Sequence, residues 1–159
     1  MRKLAGLVLF LCLLSGFASA APKAEVFGGY QYTHLDPSLN LNGWDGSVTL
    51  NSGTWLGVTG DFSGTYHSGL HFYTYTVGPE VHADLPVLKP FVHALLGGAR
   101  ASGGGTSDNG FAVMVGGGLD VGGGPIAFRL IQFDWMDTHF NGFNDTKNVR
   151  AATGIVLRF

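Results

Sequence analysis

From residue 24 to residue 159 apolar and polar residues alternate with a period of two, and clusters of Gly, Pro, Asn, Asp and Ser interrupt the pattern. That period puts successive side chains on opposite faces of a strand, so each uninterrupted run predicts one. Eight runs are predicted, over residues 24–34, 43–51, 55–66, 71–83, 91–101, 111–121, 126–138 and 148–159. In the first, Val26, Tyr30 and Tyr32 oppose Glu25, Gln31 and Thr33; in the third, Leu56, Val58, Phe62 and Tyr66 oppose Thr59, Asp61, Ser63 and Thr65. The eighth is the most regular: Val149, Ala151, Thr153, Ile155, Leu157 and Phe159 alternate with Asn148, Arg150, Ala152, Gly154, Val156 and Arg158. The fifth and sixth are less clean, because Leu, Val and Gly occupy both faces. Two positions break the rule. Pro79 has no N–H to give a ladder and predicts a bulge or a fraying strand end. In the seventh run strict alternation sets Arg129 against Gln132 and Asp134, and a bulge at Leu130 and Ile131 would bring all three to one face.

One apolar and one polar face per strand predict an all-β fold, an eight-stranded antiparallel transmembrane up-and-down β-barrel with apolar side chains toward lipid. Val, Tyr, Phe, Thr and Trp favour strands, and 26 glycines argue against helical bundles. No segment after residue 20 is an apolar run long enough for a membrane-spanning helix. The connections over 34–41, 66–70, 102–110 and 138–147 are mostly longer than those over 51–54, 84–89 and 122–125, the asymmetry of outer loops against inner turns. With an even strand number, both termini are then expected on the periplasmic side. Gly97, Gly98, Gly116, Gly117 and Gly118 suit tight curvature.

Residues 1–20 read as a cleaved signal peptide: Arg2 and Lys3, an apolar run from Leu4 to Phe17, then Ala18-Ser19-Ala20. The remaining 21–159 are one domain, the barrel. Removing two cations makes it more acidic than the −2 of the whole chain, without the basic footprint of a nucleic-acid binder. Cys12, the single cysteine, falls inside the signal and lacks the small preceding residues of a lipid-attachment site. The mature chain is therefore expected to hold no disulfide.

In this pattern the chain resembles the eight-stranded outer-membrane β-barrel superfamily that includes the outer membrane protein A transmembrane domain. The most specific stretch is Gly154-Ile155-Val156-Leu157-Arg158-Phe159, with weaker likeness in Val26-Phe27-Gly28-Gly29-Tyr30 and Gly116-Gly117-Gly118-Leu119-Asp120. The resemblance implies that Ile155, Leu157 and Phe159 form the signal read by the barrel-assembly machinery. It also implies the outer membrane of a Gram-negative bacterium, with outer-membrane lipids and lipopolysaccharide as partners. No peptidoglycan-binding module follows Phe159, so a wall-tethering role is not expected.

A barrel of this size has an interior just wide enough for side chains. Charges placed there must pair. The inward parity collects Glu25, Asp45, Asp61, Glu80, His82, His93, Asp120, Arg129, Asp134, Arg150 and Arg158. Glu25 is expected to face Arg158 at the closing seam, and Asp134 to lie near Arg150 beyond the bulge. The register of the fourth and fifth strands is expected to set His82 opposite His93, one step from Glu80. A metal or acid/base site there is imaginable, but a structural hydrogen-bond network is the ordinary outcome. Trp55 and Trp135 fall on the inward parity and are expected to plug the lumen, whereas Gly57, Gly116 and Gly118 are expected to leave space in it. His34, His67, His71 and His139 fall at strand ends without diagnostic ligand spacing. Asn144-Asp145-Thr146 matches a glycosylation acceptor, read as chance in an exported bacterial protein.

These residues point to a monomeric structural or surface-interaction barrel with no catalytic activity, no metal and no cofactor. The alternatives are a narrow porin-like channel or carrier for small or hydrophobic molecules, and a lipid-modifying barrel enzyme. For the enzyme, His67 beside Ser68 lacks an orienting acid and neighbours on a strand face opposite ways. A soluble carrier would reverse the polarity of the wall. The export signal, the aromatic faces and Phe159 favour the membrane.

Overall fold

The computed structural model describes residues 23–35, 39–140 and 143–159, with the side chains of residues 140 and 143–147 excepted. The signal segment expected at residues 1–20 and the side chains of the Asn144-Asp145-Thr146 match lie outside the described residues. Eight antiparallel strands form: β1 (Ala24–Leu35), β2 (Leu39–Asn51), β3 (Leu56–His67), β4 (Leu70–His82), β5 (Leu88–Gly103), β6 (Thr106–Val121), β7 (Ile126–Phe140) and β8 (Phe143–Arg158). Each pairs with its sequence neighbour, and β8 pairs with β1 to close the barrel. The seam runs from Glu25↔Arg158 to His34↔Val149. It is finished by Phe159 N donating to Ala24 O (2.9 Å) and Lys23 N donating to Phe159 O (2.8 Å). Closure gives the backbone polar groups partners that hydrocarbon could not supply. We call the end carrying Ala24 and Arg158 the terminal rim and the opposite end the far rim.

The strands run further toward the far rim than the sequence suggests. Residues 102–110, expected as a loop, are the tips of β5 and β6 joined by Gly104 and Gly105, with φ of +60° and +86°. Ser68 and Gly69 join β3 to β4 in the same way, with φ of +44° and +86°. Two residues with positive φ match the twist of the flanking strands, so the ladder continues to the tip. The expected asymmetry is thus reversed among the described connections: these two-residue turns are shorter than those over 52–55, 83–87 and 122–125 at the terminal rim.

Side chains alternate between wall and lumen as a pleated strand requires. Val48, Val58, Val77, Leu96, Val115, Phe133 and Ile155 face out, as do Tyr30, Trp44, Phe62 and Tyr75. Trp55 and Trp135, expected inside, are 61% and 56% exposed. Trp55 precedes β3 and escapes its parity, while Trp135 is turned outward by the β7 bulge. In that bulge Leu130 and Ile131 both face out, and the pairing to β8 shifts between Arg129 and Gln132. Pro79 neither ends its strand nor bulges it. The β4–β5 pairs stop at Val77↔Leu96 and resume in the same register at Glu80↔His93, so the missing donor leaves a gap in the ladder.

Two apolar clusters fill part of the interior. Near the far rim Leu41, Phe72, Leu95, Ala99, Ala112, Met114 and Met136 pack together, with Leu35, Leu39, Leu70 and Ala101 against them. Near the terminal rim Phe27, Ala127, Ala152 and Val156 form a smaller one.

Candidate functional site

Beside and between these clusters the lumen holds a connected set of charged side chains from β1 to β8, all on inward positions of the pleat. Arg150 on β8 lies at its centre and is 0% exposed. Its Nη1 and Nη2 donate to Asp61 Oδ1 and Oδ2 across the lumen on β3 (2.8 and 2.9 Å), and its Nε donates to Asp134 Oδ2 on β7 (2.7 Å). Asp45 Oδ1 on β2 lies 3.8 Å from Nη1. Two parallel N–H···O bonds fix a guanidinium in orientation as well as position.

Asp134 also accepts from Gln132 Nε2 (2.8 Å) and bonds His93 Nε2 (2.7 Å). Gln132 Oε1 in turn accepts from Arg129 Nη1 (2.6 Å). Arg129 binds both carboxylate oxygens of Asp120 (2.8 and 3.2 Å), and its guanidinium stands 4.3 Å from the Phe27 ring and 4.2 Å from the Phe91 ring. The aromatic faces cover the cation where water is scarce.

At the terminal rim Lys89 Nζ donates to Glu25 Oε1. Arg158 Nε lies 3.5 Å from Glu25 Oε2, and its Nη1 donates to Gly122 O (2.7 Å). Glu80 accepts from Thr59 Oγ1 (2.8 Å). His82 lies 3.8 Å from Glu80 and 3.6 Å from Asp84, with no hydrogen bond to either ring nitrogen.

Thus the structure brings Glu25 to Arg158 and Asp134 to Arg150, on adjacent strands. It does not bring His82 opposite His93. The β4–β5 register lies two residues away, pairing Glu80 with His93 and His82 with Phe91, so His93 reaches Asp134 instead. Nor do the inward glycines open a passage. A Cβ on Gly116 would overlap Asp134 Oδ1, one on Gly118 the Phe91 ring, and one on Gly57 Asn51 Oδ1. Their missing side chains make room for neighbours that fill the lumen. Lys89 falls in the turn expected over 84–89; β5 begins at Leu88, three residues before the expected start, and parity then turns Lys89 inward.

Chemically, the arrangement neutralises carboxylates with guanidinium and ammonium groups. Among the described residues no group of three or more His, Cys, Asp or Glu is placed to hold a metal ion. His67 ends β3 and Ser68 occupies a turn position, both exposed.

No protein-family model and no curated protein matches the chain. Solved structures do. The chain is similar in fold to Neisserial surface protein A, with a TM-score of 0.70 at 13% identity over 86% of this chain and 96% of that one. The fold is that of the eight-stranded outer-membrane β-barrels. The N-terminal β-barrel domain of Pseudomonas aeruginosa OprF is similar as well, with a TM-score of 0.63 at 13% identity over 89% and 100% of the two chains. So is Ail, the attachment invasion locus protein of Yersinia pestis, with 0.54 at 18% identity over 87% and 99%. Identities this low establish the outer-membrane-barrel fold and leave the activity to the chain's own residues.

Proposed function

We propose that this protein is an integral barrel of a Gram-negative outer membrane whose lumen is shut, so that its role is structural or surface-interacting, exercised through its wall and rims and without catalysis. The observation that carries this reading is the filled interior: an apolar plug near the far rim and, behind it, the network around Arg150. A continuous water path needs space between these groups, and the glycines that could provide it are filled by Asp134, Phe91 and Asn51. The exposed apolar wall supports placement in lipid. Ala24 and Phe159, the two ends of the described barrel, lie at one rim, which would face the periplasm while the far rim meets the outside. Outer-membrane lipids and lipopolysaccharide would surround the wall, and the barrel-assembly machinery would read the strand ending in Phe159, a residue that is 72% exposed.

Planar-bilayer recording of the refolded protein tests the shut lumen. The expected result is no current above that of the bare bilayer. A steady ohmic conductance from the wild-type barrel would overturn it and restore the channel reading.

A further inference from the structure

Among the described residues six carboxylates are buried in the lumen, Glu25, Asp45, Asp61, Glu80, Asp120 and Asp134. They meet four permanent cations, Lys89, Arg129, Arg150 and Arg158. Lys89 and Arg158 hold Glu25, Arg129 holds Asp120, and Asp61 and Asp134 divide Arg150 between them. His93 reaches Asp134 as well, while Glu80 accepts from Thr59 and lies 3.8 Å from His82. Asp45 is left over. It is 2% exposed, neither of its oxygens accepts a hydrogen bond, and the cation within 4 Å of it, Arg150 Nη1 at 3.8 Å, already donates to Asp61. A buried carboxylate so placed requires a compensating charge.

Its neighbours offer oxygen. Ser63 on β3 stands directly opposite, and the Ser63 and Thr74 hydroxyls lie 2.6 Å apart. Directly opposed residues carry their Cβ atoms about 5 Å apart. Ser47, two residues along β2, is also buried in the lumen. On β1 the residue opposite is Gly29, which brings no side chain. Gln31, two residues further, turns Nε2 to Thr33 Oγ1 (2.7 Å), and its buried Oε1 has no donor. The carboxylate on the next inward position of β3, Asp61, is committed to Arg150 through both oxygens.

A proton on Asp45 would serve one of these oxygens and leave the others. A cation coordinated by several serves them together. One uncompensated charge among neutral oxygens suits a monovalent ion: calcium is held by about six to eight oxygens, commonly with several carboxylates, and zinc or copper favours imidazole and thiolate. We propose that Asp45 Oδ2, with the Ser47 and Ser63 hydroxyls and Gln31 Oε1, holds one alkali cation, sodium or potassium. The ion sits on the side of Asp45 away from Arg150, because Oδ1 is the oxygen that faces the guanidinium. This rests on the shut lumen proposed above and names what completes its network.

Urea unfolding from zwitterionic phosphatidylcholine vesicles, in sodium, potassium or choline chloride at one ionic strength, tests it. With the alkali ion at about ten times its dissociation constant, the folded-to-unfolded ratio of the wild type should be about tenfold higher than in choline chloride. Asp45→Asn should give the same ratio in all three salts, and Ser63→Ala should weaken the response. Asp108→Asn, exposed near the tip of β6, should respond as the wild type does. Crystals grown with thallium(I) should show an anomalous peak beside Asp45 Oδ2, a readout that does not depend on the variants folding. A wild type indifferent to the choice of cation would overturn the proposal. So would a salt response that persists in Asp45→Asn, or a stability that Asp45 makes dependent on pH but not on sodium or potassium, since a proton then meets the charge. A barrel that carries no current and ignores the cation loses only the ion site, whereas one that conducts loses the shut lumen as well.

Discussion

Arg150 neutralises carboxylates on two other strands and lies 3.8 Å from a third, Asp45, none of the three more than 4% exposed. Removing one partner of a buried ion pair leaves the others uncompensated and costs about 3–5 kcal/mol. Arg150→Met is accordingly expected to destabilise the barrel by about that amount in urea unfolding from lipid vesicles. Arg150→Lys keeps the charge but cannot hold Asp61 through two parallel bonds, and should fall between. Stability of Arg150→Met equal to wild type would show that water, and not Asp61 and Asp134, solvates this group. Parts of the network were legible in the sequence: Glu25 with Arg158 and Asp134 with Arg150 follow from parity on adjacent strands. The Arg150–Asp61 pair did not follow, because it joins β8 to β3 across the lumen, where no register rule reaches. His82 and His93 were misplaced for a related reason, since the pairing of β4 with β5 depends on the conformation of the turn between them.

At the scale of the element, β7 shows how far alternation can be trusted. Its parity fault was readable because Arg129, Gln132 and Asp134 are all unsuited to lipid, and Leu130 and Ile131 lie side by side on the wall. Deleting Ile131 should leave Arg129, Gln132 and Asp134 inward on a regular strand, and refolding yield, read by heat-dependent gel mobility, should match wild type. Deleting Phe133 forces either Asp134 or Gln132 toward lipid and should abolish the shifted band. Equal behaviour of the two deletions would contradict the assigned parity. The strand tips were less legible: Ser, Thr, Asn and Gly over 102–110 have loop composition, and only the positive φ at Gly104 and Gly105 reveals a hairpin continuing to its end.

For the molecule as a whole, eight strands and closure were readable from one period repeated eight times, whereas the content of the lumen was not. Sequence assigned its plug to Trp55 and Trp135; the structure assigns it to Leu41, Phe72, Leu95, Met114 and Met136 at one level and to ion pairs at another. The polarity of the barrel, apolar wall outside and charges inside, underlies the proposed function. All three tryptophans, Trp44, Trp55 and Trp135, are exposed on the outside, which makes that polarity directly measurable. In vesicles of brominated phosphatidylcholine most of the tryptophan emission should be quenched, with little further loss on adding acrylamide. Emission unaffected by brominated lipid but quenched by acrylamide would place the indoles in water or in the lumen, and would contradict the account.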